Sequence, residues 1–381
     1  MLHFVRNDDL NKTTLNEEES IGNIQYQGMK ISRNPIKMKI LYAIQGTGNG
    51  HLARATEIVP ILKSMADTDV LVSGTQADLK VPFKIDYQFS GLSFIIGKKG
   101  GVDLWKTIRK MPVMQFFKDI RQLPVKEYDL IISDFEPVSA WACKLRGKEC
   151  IGLSHQNAVL HHSAPKPGFT DPVGKFILKH YAPASYKYGF NFKPFSPSIF
   201  PPVIRRDIRN AESTLGPHYT VYLPAYSDQQ IQDVLSGIPG TEWQVFSKHS
   251  KTSYKAGNVH FQPVSLDEFS KSFLSCSGLL CTAGFEGPAE AIFMGKKLCV
   301  IPMKKQYEQY CNAAYLKSMG IKVLDRFSDS APELADWIQN SSALEIKFPD
   351  ITHEILENIL VKHSEKQTSL PIQAFNLEFE T

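Results

Sequence analysis

The sequence predicts an α/β protein made of two doubly wound, Rossmann-like halves in tandem. Three observations carry this. Compact apolar runs alternate with segments of helical spacing. The alternation breaks in a Pro- and Phe-rich passage, Phe190 to Val203, and restarts near Thr220. Two of the runs end directly in glycine-rich turns, at Gln45 and at Thr282. A chain of 381 residues is long enough to bury two cores.

The elements follow in order. Residues 1–37 are polar, with acids clustered at Glu17 to Glu19, and read as a disordered or mis-assigned extension. Lys39 to Ile44 is a compact apolar run, the mark of a buried parallel strand. Leu52 to Met65 carries Ala, Ile, Val and Leu at helical spacing. Val70–Ser73, Asp129–Asp134 and Ile151–Ser154 are further strands of this half. The second half takes its strands from Thr220–Leu223, Trp243–Phe246, Val259–Phe261 and Gly278–Cys281. The resulting segmentation is an N-terminal domain over 38–205, a C-terminal domain over 206–345, and a C-terminal helix and tail over 346–381.

Composition narrows the class. The charged and apolar fractions are those of a globular domain, and the net charge of +4 is too small to argue for nucleic acid. No run approaches the ~20 apolar residues that span a bilayer, and residues 1–20 lack the apolar core of a secretory signal. The six cysteines show no CxxC spacing and lie mostly in apolar stretches, which suits reduced thiols in the cytoplasm.

The chemistry concentrates between Thr282 and Ala313. Gly284 and Gly287 allow close backbone approach to a ligand. The helix after them points its unpaired N–H groups at that turn, where a phosphate fits. Glu290 lies one turn further, within reach of a ribose. Glu308 and Gln309 follow the next strand, at the carboxyl edge where ligands of open α/β sheets collect. Phosphate, ribose and sugar partners in that order describe a nucleotide-sugar site.

This segment resembles the donor region of GT-B glycosyltransferases, such as the UDP-glycosyltransferases and the bacterial enzyme that adds N-acetylglucosamine to the lipid-linked peptidoglycan precursor. Their glycine, Glu, glycine, proline and Asp/Glu-Gln-x-x-Asn-Ala pattern matches Gly284, Glu290, Gly295, Pro302 and Glu308-Gln309-Tyr310-Cys311-Asn312-Ala313. Thr282 stands where many members carry a phosphate-binding His. The resemblance implies the GT-B fold, two Rossmann-like domains facing a cleft, with a nucleoside diphosphate sugar, a UDP-sugar, as donor. It places Phe261 and Val264 in the loop that packs the base, Phe285 in the diphosphate turn, and Glu308 with Gln309 on the sugar. It implies no cofactor and no bound metal; the nearest DxD candidate, Asp67-Thr68-Asp69, lies in a poor context, and no carboxylate cluster completes a metal site.

The other glycine turn, Gln45 to His51, lacks the third glycine of a dinucleotide fingerprint, and Ser73-Gly74 supplies no acid after the second strand, which disfavours NAD. The resemblance puts this turn, Gly48, Asn49 and Gly50, on the acceptor side and makes His51 a general base. The alternative is that His51 caps the helix or binds a phosphate. Asp134 either supports His51 or caps the helix before Pro137. His155 and Asn157 match an acceptor-side segment of the peptidoglycan enzyme. Residues 95–125 mix basic and aromatic side chains. They read either as amphipathic helices with solvated lysines or as a face for a membrane or lipid-linked acceptor at the inner side of the membrane.

The function expected is inverting, metal-independent transfer of a hexose to an acceptor hydroxyl. A nucleotide-sugar 2-epimerase of the same fold and a non-catalytic nucleotide-sugar binding protein are the alternatives.

Overall fold

The computed structural model describes residues 37–74, 81–92, 96–97, 101–102 and 113–364. The N-terminal extension, apart from its last residue, lies outside them, as do residues 103–112 of the basic, aromatic segment.

The first half runs β1 (Lys39–Gln45), α1 (Asn49–Met65), β2 (Asp67–Ser73), β3 (Tyr87–Phe89), a small hairpin of β4 (Ile96–Gly97) and β5 (Gly101–Val102), α2 (Val113–Gln122), β6 (Leu130–Asp134), α3 (Pro137–Leu145), β7 (Ile151–Leu153), α4 (His155–Leu160), α5 (Pro172–His180), β8 (Tyr186–Phe190) and β9 (Ile199–Phe200). Its seven-stranded sheet has the order β3-β2-β1-β6-β7-β8-β9 and is parallel throughout. The Pro- and Phe-rich passage therefore contributes the edge strand β9 to the sheet. Phe190 and Phe192 are buried in the core, and Gly189 and Asn191 bond to the backbone of 198–200.

The second half runs α6 (Arg206–Arg209), β10 (His218–Tyr222), α7 (Asp228–Leu235), β11 (Glu242–Ser247), β12 (Tyr254–Ala256), β13 (Val259–Pro263), α8 (Leu266–Ser275), β14 (Gly278–Thr282), α9 (Glu286–Phe293), β15 (Lys297–Ile301), α10 (Tyr307–Ser318), β16 (Lys322–Val323), α11 (Ala331–Asn340) and α12 (Thr352–Ser364). Its sheet has the order β12-β13-β11-β10-β14-β15-β16, with only β12 antiparallel. Strand order reverses between β1 and β6 in the first sheet and between β10 and β14 in the second. Loops diverge at such switch points and leave a crevice at the strands' carboxyl ends. Ile44 of β1 is in register with Asp134 of β6, and Tyr222 of β10 with Cys281 of β14. Both glycine turns thus open onto a crevice.

Helix α1 shows why the sequence folds this way. Leu52, Ala55, Ile58, Val59, Leu62 and Met65 recur at helical spacing and are buried. The helix starts at Asn49, three residues before its apolar run, because Gly48 at φ 102° turns the chain straight into it. One apolar cluster joins both halves: Leu52, Ile58 and Leu62 of α1 share it with Leu279, Phe285 and Ile292. Ile355, Leu356, Ile359 and Leu360 of α12 close the same cluster, so the C-terminal helix packs on α1.

Lys296, between α9 and β15, is fully buried. Its ammonium donates to the carbonyls of Thr214 (2.6 Å), Leu274 (2.9 Å) and Cys276 (2.7 Å). Burial pulls its pKa below the ordinary lysine value. Lys296→Met should cost roughly 2–4 kcal/mol, since it leaves those carbonyls without their donor. Urea unfolding checks this, and an unchanged midpoint would show that the carbonyls re-pair.

Candidate functional site

The first wall of the site is the turn after β1 and the end of β6. His51 falls in the first turn of α1, and its Nδ1 lies 2.9 Å from Asp134 Oδ1. Gly48 holds the N-cap position of α1, so His51 does not cap that helix. The cap before Pro137 is Glu136, whose carboxylate accepts from the N–H groups of Val138 (2.7 Å) and Ser139 (2.6 Å). Asp134 is thereby left for His51. It is wholly buried and also accepts from Arg54, through Nε (3.2 Å) and Nη2 (2.6 and 2.8 Å). Phe135, the next residue, adopts φ 56°, a region unfavourable for a bulky side chain. Its ring stacks on Tyr181 at 4.8 Å and lies parallel to the His51 ring at 6.5 Å.

Charge follows from this packing. Burial opposes a proton on His51, but the charge of Asp134 and its hydrogen bond outweigh burial, and the imidazole pKa rises above its ordinary value. Burial works against the charge on Asp134 as well. The Arg54 guanidinium and His51 overcome it and hold the carboxyl below the usual range. With Nδ1–H directed at Asp134, the acceptor nitrogen of the neutral ring is Nε2, and its side chain is 14% exposed. Facing Nε2 at 3.3 Å is the amide nitrogen of Gln156, which also donates to Glu308 Oε2 at 3.1 Å. Gln156 is buried, and among the described residues nothing bonds to its Oε1.

The opposite wall is the turn after β14. A Cβ added to Gly284 would meet no atom within 4 Å, so this turn faces open space. Helix α9 begins two residues later, at Glu286, with no side-chain cap on its first N–H groups. Gly287 faces Leu279 on the sheet, and Thr282 is buried at the end of β14. Glu308 and Gln309 lie in the first turn of α10, and Gln309 Oε1 accepts from Met303 N at 2.8 Å. Val264 is half-buried in the loop between β13 and α8.

Some residues expected in the site have other work. Phe261 is fully buried in the second-sheet core, stacked on Tyr254, and its side chain cannot pack a base. His155 is buried between Phe190 O (2.8 Å) and Asn312 Oδ1 (2.7 Å), with Phe285 stacked on its ring at 3.9 Å. His155 and Phe285 therefore pin the two halves together. Asn157 donates to Tyr188 O at 3.0 Å, a contact within the first half. Glu290 is held bidentately by Arg205, at 2.7 and 3.0 Å. Asn49 reaches Tyr222 Oη at 3.4 Å across the cleft. Gly50 packs so tightly on Glu286 that an added Cβ would lie 2.5 Å from its Oε2.

The sequence reading missed Arg54, Glu286 and Arg205. Arg54 had a signal: it lies three residues after His51 and so on the same helix face, among apolar residues. Among the described residues no three His, Cys, Asp or Glu converge as a metal-holding group, and no helix is long and apolar enough to cross a membrane. All six cysteines are buried thiols. Beside the site, an apolar groove of about 310 Å³ runs between α2 and α5, lined by Leu92, Phe116, Phe117, Trp141 and Tyr181. Met114 and Phe176 project from its flanks, and Lys118, Lys175 and Lys179 are exposed around it.

The pattern of the glycosyl transferase family 1 matches residues 38–340. A UDP-glucosyltransferase from Polygonum tinctorium that glucosylates indoxyl superposes with a TM-score of 0.54 at 14% identity, over 88% of this chain and 95% of that one. The UGT2 of Phytolacca americana, solved with UDP-2-fluoro-glucose and pterostilbene, gives 0.54 at 14% identity, over 86% and 100%. At that identity the likeness establishes the shared two-domain GT-B fold. No curated protein sequence matches the chain.

Asp134→Asn should destabilise the protein by roughly 3–5 kcal/mol, because Arg54 stays buried without its counter-charge. It should also drop the His51 pKa below the ordinary value, since burial remains when the carboxylate charge is gone. Denaturant unfolding and an NMR titration of His51 read the two effects. A His51 pKa that stays raised in the variant would take Asp134 out of its control.

Proposed function

The chain belongs to glycosyl transferase family 1, and from that premise we propose an inverting, metal-independent transfer of a hexose from a UDP-sugar to an acceptor hydroxyl. One observation carries the reading: His51, backed by buried Asp134, presents Nε2 to Gln156, whose amide also reaches Glu308 across the cleft. The named ligands of the Phytolacca structure, UDP-2-fluoro-glucose and pterostilbene, agree with it.

In this reading the acceptor hydroxyl gives its proton to His51 Nε2 as its oxygen bonds to the anomeric carbon. The bond from that carbon to the diphosphate oxygen breaks on the opposite face, and the electron pair leaves with the diphosphate. The uncapped backbone N–H groups at the start of α9 receive that charge. The unpartnered Gln156 Oε1 is an acceptor waiting for a hydroxyl beside His51. Glu308 takes sugar hydroxyls. Glu290 retains free lone pairs for a ribose while Arg205 holds it in place. The groove between α2 and α5, apolar and edged with lysines, supports an acceptor with an apolar part, met at the cytoplasmic face of a membrane.

A panel of UDP-, GDP- and dTDP-sugars read by thermal shift, followed by turnover with an acceptor, tests the assignment. Conversion of the sugar without any acceptor would replace transfer by epimerisation. His51→Ala should lower turnover by about two to four orders of magnitude and spare donor affinity. Near-normal turnover in that variant would move the base elsewhere.

The pH profile follows from the raised imidazole pKa. The His51–Asp134 ion pair stabilises the fold fully below the free-imidazole value and is lost as pH rises through the raised one. Catalysis runs the other way, since only the neutral ring accepts a proton. The acid limb of kcat/KM should therefore lie above about 6.5, and a limb at or below that value would separate it from His51.

EDTA should leave turnover intact, because protein groups carry the leaving charge. Activity lost on chelation and restored by Mg²⁺ or Mn²⁺ would contradict this.

A further inference from the structure

Arg54 is 1% exposed, yet its guanidinium faces two ways. Nε and Nη2 grip Asp134 in the first half. Nη1 reaches across the cleft to Glu286 Oε1, in the first turn of α9. The Glu286 carboxylate also lies against Gly50, in the first turn of α1, where an added Cβ would come within 2.5 Å of its Oε2. It is thus an anion lodged between a buried arginine and the amino ends of two helices, the positive ends of their dipoles. Its side chain is 19% exposed, so it can leave toward the cleft. Arg54 cannot leave, because Asp134 holds it and Phe190 lies under its guanidinium at 5.3 Å.

We propose that Arg54 is a binding group for the departing diphosphate, and that Glu286 is its internal stand-in, displaced when the donor arrives. The inference rests on the nucleotide-sugar reading above and adds a residue to it. Thr282 brings no charge to the phosphate turn, and Glu286 by itself would repel a diphosphate there. Arg54 supplies the missing cation once the carboxylate swings away. As the bond from anomeric carbon to phosphate oxygen breaks, the electron pair settles on an oxygen facing Nη1, and the diphosphate leaves unprotonated. Because the same guanidinium touches Asp134 and lies 3.1 Å from His51 Nδ1, donor charge is felt at the base.

Calorimetric titration of the full chain and its variants with UDP, UMP and uridine tests this. Glu286→Gln removes the competing charge and should bind UDP about three- to tenfold tighter, with uridine unchanged. Arg54→Met should bind UDP about ten- to a hundredfold more weakly, with uridine within about threefold. If Arg54→Met does not fold, Glu286→Gln decides alone: a merely structural ion pair predicts equal or weaker UDP binding, and that result overturns the proposal. Equal losses for UDP and uridine in Arg54→Met overturn it too. A wild-type chain that binds none of UDP, dTDP, GDP and ADP overturns the nucleotide reading, and this inference falls with it.

Discussion

The site is organised by one buried carboxylate. Asp134 has no exposed surface, so its charge persists only because Arg54 and His51 surround it. An isolated carboxylate at that depth would be protonated. That requirement fixes much else. Arg54 must lie on the face of α1 that meets β6, which sets the rotation of the helix. His51, three residues earlier, then falls on the same face. The cap of α3 has to come from a different acid, and Glu136 provides it.

The second constraint is contact across the cleft. Arg54 to Glu286, Gln156 to Glu308, His155 to Asn312 and Asn49 to Tyr222 each join one half to the other. These are polar contacts over a continuous apolar cluster that α12 completes. Polar pairs can be exchanged for ligand contacts at small net cost, whereas apolar burial cannot. The architecture thus separates a cleft that can re-pair from a base that holds.

Periodicity and glycine placement made the two sheets and their crevices legible. The buried runs of β1, β6, β10 and β14 and the turns at Gln45 and Thr282 are local signals, and the structure keeps them local. His51 and Asp134 were legible as chemistry types at strand ends. Less legible were roles set by tertiary partners. Nothing in the sequence reveals that Arg205 closes on Glu290, or that His155 is walled in by Phe190, Phe285 and Asn312. Phe261 shows the same limit. The resemblance puts it in a ligand loop, but alternation along β13 turns the ring into the core.

The stack of Phe285 on His155, closed by Asn312, bears on modularity. Two-domain enzymes of this shape invite recombination, with a donor half from one protein joined to an acceptor half from another. Here the seam carries a matched trio: an imidazole from the first half, and an aromatic ring and an amide from the second. A chimera that brings a different second half presents the imidazole with the wrong ring or no amide, leaving a buried polar group without a partner. Compatible halves are therefore recognisable from the residues at these positions, before any question of which sugar or acceptor each prefers.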